Sequence, residues 1–302
     1  MPCYSPLHGY ASRTPNPSGK RSITFSRNHG FTDIKMTVPC GICIGCRIDR
    51  SRTWALRCAH EAKMHPTNCF ITLTYDEEHL SEGHTLVKSD LQNFYKRLRK
   101  KGFKFRYFSA GEYGETTNRP HYHAVLFGID FINDRKRFKE TPQGHTLYTS
   151  ETLTKTWGLG HCLIGHFSYQ TAAYTARYVL KKVGGKHAPD HYTRVNPCTG
   201  ELTQALPEFA LMSSRPGIGR TWYEKFHTDA FPSDFLVHEG KKHTVPRYYF
   251  DQLKRTNESL HNEIKQKRVI AREKNSADST ADRLYVREEC KLSRLSQLKR
   301  SL

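Results

Sequence analysis

The stretch Arg119-Pro120-His121-Tyr122-His123-Ala124-Val125-Leu126-Phe127 sets two histidines two residues apart at the head of an apolar run. Side chains alternate between the two faces of a strand, so His121 and His123 are expected to project together while Tyr122 and Ala124 face the other way. Upstream, Phe103-Lys104-Phe105-Arg106-Tyr107-Phe108 alternates apolar and polar residues. It runs into Gly111-Glu112-Tyr113-Gly114-Glu115 and the polar turn Thr116-Thr117-Asn118. Strand, turn and strand predict a β-hairpin that carries Glu112 opposite the histidines. One carboxylate oxygen and two imidazole nitrogens would leave positions on a divalent ion open to water and substrate oxygens. Glu112, His121 and His123 are therefore candidate ligands of a catalytic metal. The competing reading is a pair of solvated histidines, since the chain has seventeen.

On the N-terminal side of the hairpin, Asn68-Cys69-Phe70-Ile71-Thr72-Leu73-Thr74-Tyr75-Asp76 is rich in β-formers and reads as a central strand. Ser89-Asp90-Leu91-Gln92 has the form of a capping box. Leu91, Phe94, Tyr95 and Leu98 then recur at helical spacing, opposite Lys96, Arg97, Arg99 and Lys100. On the C-terminal side, Gly128 to about Ser150 reads as a polar, loop-rich insert, and Cys162 to Phe167 as a short strand. A helix follows from Ser168, stopped at Gly184-Gly185. Within it Tyr174 and Tyr178 are four apart and share a face, and Lys181 extends the same stripe. A phenol has a pKa of about 10 and attacks at neutral pH only with help from a cation or an activated electrophile. From spacing alone the tyrosine pair reads equally as core packing.

The chain has 302 residues, with 48 Lys+Arg against 29 Asp+Glu, a net charge of +19 and a pI near 9.6. That excess points to a polyanionic partner, with nucleic acid first. No apolar run approaches a membrane span, and the first residues lack an apolar signal core. Residues 1 to about 38, with turn signals such as Thr14-Pro15-Asn16-Pro17-Ser18-Gly19, read as an extended or loosely ordered arm. A helix is expected from Arg47 to about His65. Cys40, Cys43 and Cys46 make two consecutive Cys-x-x-Cys steps, the spacing at which thiolates share a tetrahedral zinc, with Cys58 or His60 as the fourth ligand; buried free thiols are the alternative. Pro216-Gly217-Ile218-Gly219-Arg220 reads as a tight turn in preference to a cradle that brings backbone amides and Arg220 to a phosphate. The residues from about Asp251 read as a charged helix or tail.

Taken in order, Phe70-Ile71-Thr72-Leu73-Thr74, the Glu112 turn, Pro120-His121-Tyr122-His123 and Tyr174-x-x-x-Tyr178-x-x-Lys181 resemble the three motifs of the rolling-circle replication initiators, the HUH (His-hydrophobe-His) endonucleases. The wider layout, including the cysteine start, Gly-Glu-Tyr-Gly, Arg215 to Gly219 and Pro246-Arg247-Tyr248-Tyr249, resembles the initiators of gokushovirus-type microviruses, small single-stranded DNA phages. The likeness covers most of residues 1 to 250. It implies an α+β fold with a central antiparallel sheet of about five strands and flanking helices. It implies Mg²⁺ or Mn²⁺ on Glu112, His121 and His123, with Tyr174 and Tyr178 as nucleophiles assisted by Lys181. It also implies single-stranded origin DNA as substrate, met by Arg119, Arg177 and Lys182, and host helicase and polymerase as partners in the host bacterial cytoplasm, with no membrane association. Arg177 stands where related two-tyrosine proteins often have Lys, and the family gives the cysteine cluster no settled role. The expected organisation is a Cys-rich arm and helix over 1–65, a nickase core over 66–190 and a basic region over 191–302. The runner-up reading is a non-enzymatic zinc- and nucleic-acid-binding regulator. A single-tyrosine transposase or relaxase is a third, disfavoured by the second tyrosine.

Overall fold

The computed structural model describes residues 3–114, 117–178, 188–195 and 199–297. In chain order its first strands are β1 (Leu7–Ser12), β2 (Ile23–Thr24) and β3 (Gly30–Val38), followed by helix α1 (Ile44–Ala62). Then come β4 (Asn68–Thr74), α2 (Lys88–Lys100), β5 (Arg106–Tyr113), β6 (Pro120–Phe127), β7 (Arg135–Glu140), β8 (Thr146–Ser150), α3 (Glu151–Trp157), β9 (Cys162–His166) and α4 (Tyr169–Tyr178). Beyond these lie α5 (Ala188–Tyr192), β10 (Thr193–Val195), β11 (Leu202–Gln204), β12 (Phe209–Met212), α6 (Arg220–Phe226), β13 (Phe235–His238), β14 (Lys241–Thr244), α7 (Arg247–Thr256), α8 (Glu258–Lys274) and α9 (Ala281–Ser296). The chain divides into two compact units, one of residues 1–50 with 265–300 and one of residues 51–264. Among the described residues no helix is long and apolar enough to cross a membrane.

In the first unit the expected loose arm is instead a three-stranded antiparallel sheet of order β2-β1-β3. Two of its glycines are places of close approach between the strands. A Cβ on Gly9 would lie 2.6 Å from the Thr24 carbonyl oxygen, and one on Gly30 would lie 2.6 Å from Tyr10 Cβ.

The second unit is built on a seven-stranded sheet of order β12-β5-β6-β4-β9-β8-β7, antiparallel at every pairing. The chain is thus α+β, with seven strands in place of about five because both edges are extended. On one edge the expected loop insert forms the hairpin β7–β8, whose charged strand Arg135-Lys136-Arg137-Phe138-Lys139-Glu140 is mostly exposed and so carries no apolar alternation. On the other edge β12 pairs with β5.

Both faces of this sheet are covered. Ile71 and Leu73 of β4 and Tyr122, Ala124 and Leu126 of β6 pack with Leu91, Phe94, Tyr95 and Leu98 of α2 and with Leu153 and Trp157 of α3. On the opposite face Phe108, Val125 and Phe127 pack with Ala55, Cys58 and Ala62 of α1 and with Ala172 and Ala176 of α4. The period of two along β6 is what divides these two cores. At α2 the expected capping box does not form: the helix starts at Lys88 with no side-chain cap on Val87. Asp90 is engaged elsewhere, accepting from the Tyr75 hydroxyl at 2.7 Å.

A candidate metal and tyrosine site

β6 lies between β5 and β4, so each of its residues has a partner on either side. Glu112 of β5 faces His121 and Thr72 of β4 faces His123. These side chains share the face that α1 and α4 cover, just beyond the buried pair Val125 and Phe127. Glu112 Oε1 lies 2.7 Å from His121 Nε2 and 3.0 Å from His123 Nε2. One ligand atom from each of the three residues falls within 4.8 Å of the others. Glu112 and His123 are buried, whereas His121 keeps 18% of its side chain exposed and opens the group to solvent. Burial alone would raise the Glu112 carboxyl, but hydrogen bonds from both imidazoles, and their charge, outweigh it and hold the group at about 2.

The hydrogen-bond logic of this cluster fits a cation. His121 Nδ1 lies 3.0 Å from the Arg119 carbonyl oxygen, which can only accept, so Nδ1 carries a proton. In a neutral ring, Nε2 would then point a lone pair at the Glu112 oxygen. Two acceptors in contact require either a second proton on the ring or a cation shared between them. His123 Nδ1 lies 3.0 Å from the Thr72 hydroxyl, which donates or accepts by rotation and thus serves either tautomer. Carbonyl and hydroxyl are the partners that orient histidine ligands in metal sites. The donor set of one carboxylate and two imidazoles suits a divalent ion with open positions.

α4 brings a phenol to this cluster. Its first turn is closed by a reciprocal pair: the Ser168 amide donates to Thr171 Oγ1 at 2.9 Å and the Thr171 amide donates to Ser168 Oγ at 3.0 Å. Ala172 and Ala176, both small, let the helix sit close on the sheet. Tyr174 then meets His123 edge-on with ring centroids 5.1 Å apart, and it touches Phe70 at 6.2 Å. Arg177 is exposed, with its guanidinium carbon 5.7 Å from the Tyr174 ring centre. Tyr178 is the last residue of α4, described through its backbone alone; Lys181 and Lys182 lie outside the described residues. Arg119 is ion-paired to Glu77 and donates to the Tyr75 carbonyl at 3.0 Å.

Two other expectations resolve here. Arg215 to Gly219 is a clamped turn. The Gly219 amide donates to Glu61 Oε2 at 2.6 Å, and Arg57 donates to the Ile218 carbonyl at 3.0 Å while its guanidinium lies between Trp54 and Tyr248. Glu61 also pairs with Arg106 at 2.6 Å, so the Gly219 amide is engaged inside the protein. In the cysteine cluster, sulfurs of Cys3, Cys40, Cys43 and Cys46 lie within 4.8 Å of one another. Cys58, expected as the fourth ligand, is wholly buried in the core that α1 shares with the sheet, and His60 stacks on Trp222. Counting forward from the Cys-x-x-Cys steps missed Cys3, because only the β1–β3 sheet returns the chain to it. Thr72 was likewise missed; its signal was register, since it lies opposite a histidine one strand over.

Comparison with known proteins adds a second line. Residues 68–183 match a family described as "Replication-associated protein ORF2/G2P". The chain is 34% identical over 228 residues to a replication-associated protein VP4 of Bdellovibrio phage phiMH2K, covering 72% of this chain and 67% of that protein. It is 33% identical over 233 residues to a replication-associated protein ORF2 of Spiroplasma virus 4, covering 72% and 68%. A replication-associated protein ORF4 of Chlamydia phage 1 is 24% identical over 235 residues, 56% of its length. No solved structure gives a significant match.

Proposed function

Because this chain belongs to the replication-associated proteins of small single-stranded DNA phages, we propose that it starts and ends rolling-circle replication by nicking and rejoining one DNA strand at the origin. The observation that carries this reading is the convergence of Glu112, His121 and His123 on one face with Tyr174 against His123. A divalent cation such as Mg²⁺ or Mn²⁺, held by Glu112 Oε1 and the two Nε2 atoms, would polarise the oxygens of a scissile phosphate. With the two Nε2 atoms turned to such a cation, His121 Nδ1 would donate to the Arg119 carbonyl and His123 Nδ1 to the Thr72 hydroxyl. Glu112 stays ionised at any physiological pH because its two histidine partners favour the anion.

The Tyr174 hydroxyl attacks phosphorus, an O–P bond forms to the 5′ phosphate, and the P–O3′ bond breaks to release a 3′ hydroxyl. Arg177 beside the Tyr174 ring, and Lys181 further along, supply positive charge for the developing phenolate and phosphate oxygens. The freed 3′ hydroxyl primes a host polymerase. Tyr178, four residues on, attacks the phosphorus of the regenerated origin and releases the 3′ hydroxyl of the displaced strand; that hydroxyl attacks the 5′ phosphate held on Tyr174, breaks the Tyr174–phosphate bond and closes the strand into a circle. The net charge of +19 supplies sequence-independent affinity for the DNA backbone.

Labelled single-stranded origin DNA incubated with the protein and Mn²⁺ tests this. A denaturation-resistant protein–DNA adduct is expected. His123→Ala should abolish it while leaving most DNA affinity, because phosphate contacts elsewhere carry that affinity. No adduct with any divalent cation would refute the reading, and full adduct yield from His123→Ala would refute the metal assignment.

A further inference from the structure

The first unit has a stability problem that its sequence alone does not solve. Each of the three apolar clusters of the described residues is made of residues in the second unit. Among the described residues of 1–50 and 265–300 the buried apolar side chains are Ala11 and Leu284, while Leu7, Phe25 and Ile34 are exposed. Such a small element with so little core is ordinarily held by a disulfide or a metal.

The cysteines of this unit are placed to do that. Cys43 immediately precedes α1, and Cys46 lies in its first turn. Cys40 follows β3 by two residues, and Cys3 precedes β1 by four. Gly41, at φ +79°, makes the turn between Cys40 and Cys43. Backbone amides aim at the sulfurs: the Cys40 amide donates to Cys3 Sγ at 3.2 Å, the Cys43 amide to Cys40 Sγ at 3.3 Å, and the amides of Tyr4 and Cys46 to Cys43 Sγ at 3.4 and 3.5 Å. Donors directed at sulfur stabilise thiolate over thiol.

Spacing then selects among the possible cross-links. Cys3 Sγ and Cys43 Sγ are 3.9 Å apart, far beyond a disulfide bond. Four sulfurs at about 2.3 Å around a tetrahedral zinc are separated by about 3.8 Å along each edge. An iron–sulfur cubane binds each sulfur to a different iron and holds the sulfurs farther apart than this group, all within 4.8 Å.

We propose that Cys3, Cys40, Cys43 and Cys46 bind a structural Zn²⁺ as four thiolates, joining the residues before β1 to the start of α1. Four protein ligands leave no open position, so this ion is structural and separate from the Glu112 group. Its binding displaces thiol protons, and its free energy stabilises the folded first unit.

The test uses the full chain, purified without chelator. Elemental analysis should find about one zinc per chain, retained in His123→Ala and in Cys58→Ser and lost in Cys3→Ser. Cobalt exchanged into the wild-type protein should give intense sulfur-to-metal charge-transfer bands and the visible spectrum of a tetrahedral ion, a readout that does not depend on Cys3→Ser folding. Zinc-free protein, zinc lost with His123→Ala but kept in Cys3→Ser, a brown iron chromophore, or a cobalt spectrum without sulfur bands would each overturn the assignment.

Discussion

Replacing Thr72 by valine removes the hydroxyl that meets His123 Nδ1 at 3.0 Å and keeps nearly the same shape and a β-branched residue in β4. The ring of His123 then keeps its packing against Phe70, 5.5 Å away and nearly parallel, but loses the hydrogen-bond partner that orients it. Removing such an orienting partner weakens metal binding about 10- to 100-fold, or about 1.4 to 2.8 kcal/mol. Thr72 is only partly buried, so losing one hydroxyl there should change metal-free stability by no more than about 1 kcal/mol. Calorimetric titration of Mn²⁺ into both proteins, with thermal melts in the absence of metal, separates the two effects. Thr74→Val is the control: it lies two residues along the same strand, opposite His121, but its hydroxyl bonds the His161 carbonyl instead of an imidazole. Wild-type affinity in Thr72→Val, or equal losses in both variants, would refute the orienting role.

Three further outcomes follow from the same geometry. A Tyr174→Phe, Tyr178→Phe double variant should form no covalent adduct while at least one single variant still does, as seen on denaturing gels; an adduct from the double variant would place the nucleophile elsewhere. Glu61→Ala leaves Arg106 and the Gly219 amide without their buried partner and should lower stability by about 3 to 5 kcal/mol in urea unfolding; a loss below about 1 kcal/mol would show that the clamp is replaceable. Burial pushes the His60 imidazole down from 6.5 to about 3, so the unfolded chain takes up this proton first as the pH falls. The contribution is complete above about pH 6.5 and is lost between there and about pH 3, up to about 5 kcal/mol. His60→Phe, which keeps the stack on Trp222, should flatten that slope, and an unchanged slope would contradict the assignment.

The site's geometry was legible because it rests on short-range rules. A period of two placed His121 and His123 together, and a hairpin of readable length put Glu112 opposite. What escaped were features set by distant pairing or by polar exposure. β12 reaches the sheet from beyond residue 205 with only four residues, too few to show a period, and β7 is charged along nearly its whole length and shows no apolar alternation. Cys3 joins a cluster 37 residues away through a sheet that residues 1–38, with little periodicity, did not announce. Arg57 of α1 is buried between aromatic rings, a placement only the tertiary fold decides. In α2 the helix begins at Lys88, one residue before the Ser89 that read as its cap.

The most direct measurement is peptide mapping of the covalent species. After reaction with Mn²⁺ and single-stranded origin DNA, nuclease trimming and proteolysis, tandem mass spectrometry should find a nucleotide 5′-phosphate on Tyr174 or Tyr178. A nucleotide on any other residue, or none on the protein despite cleaved DNA, would contradict the account.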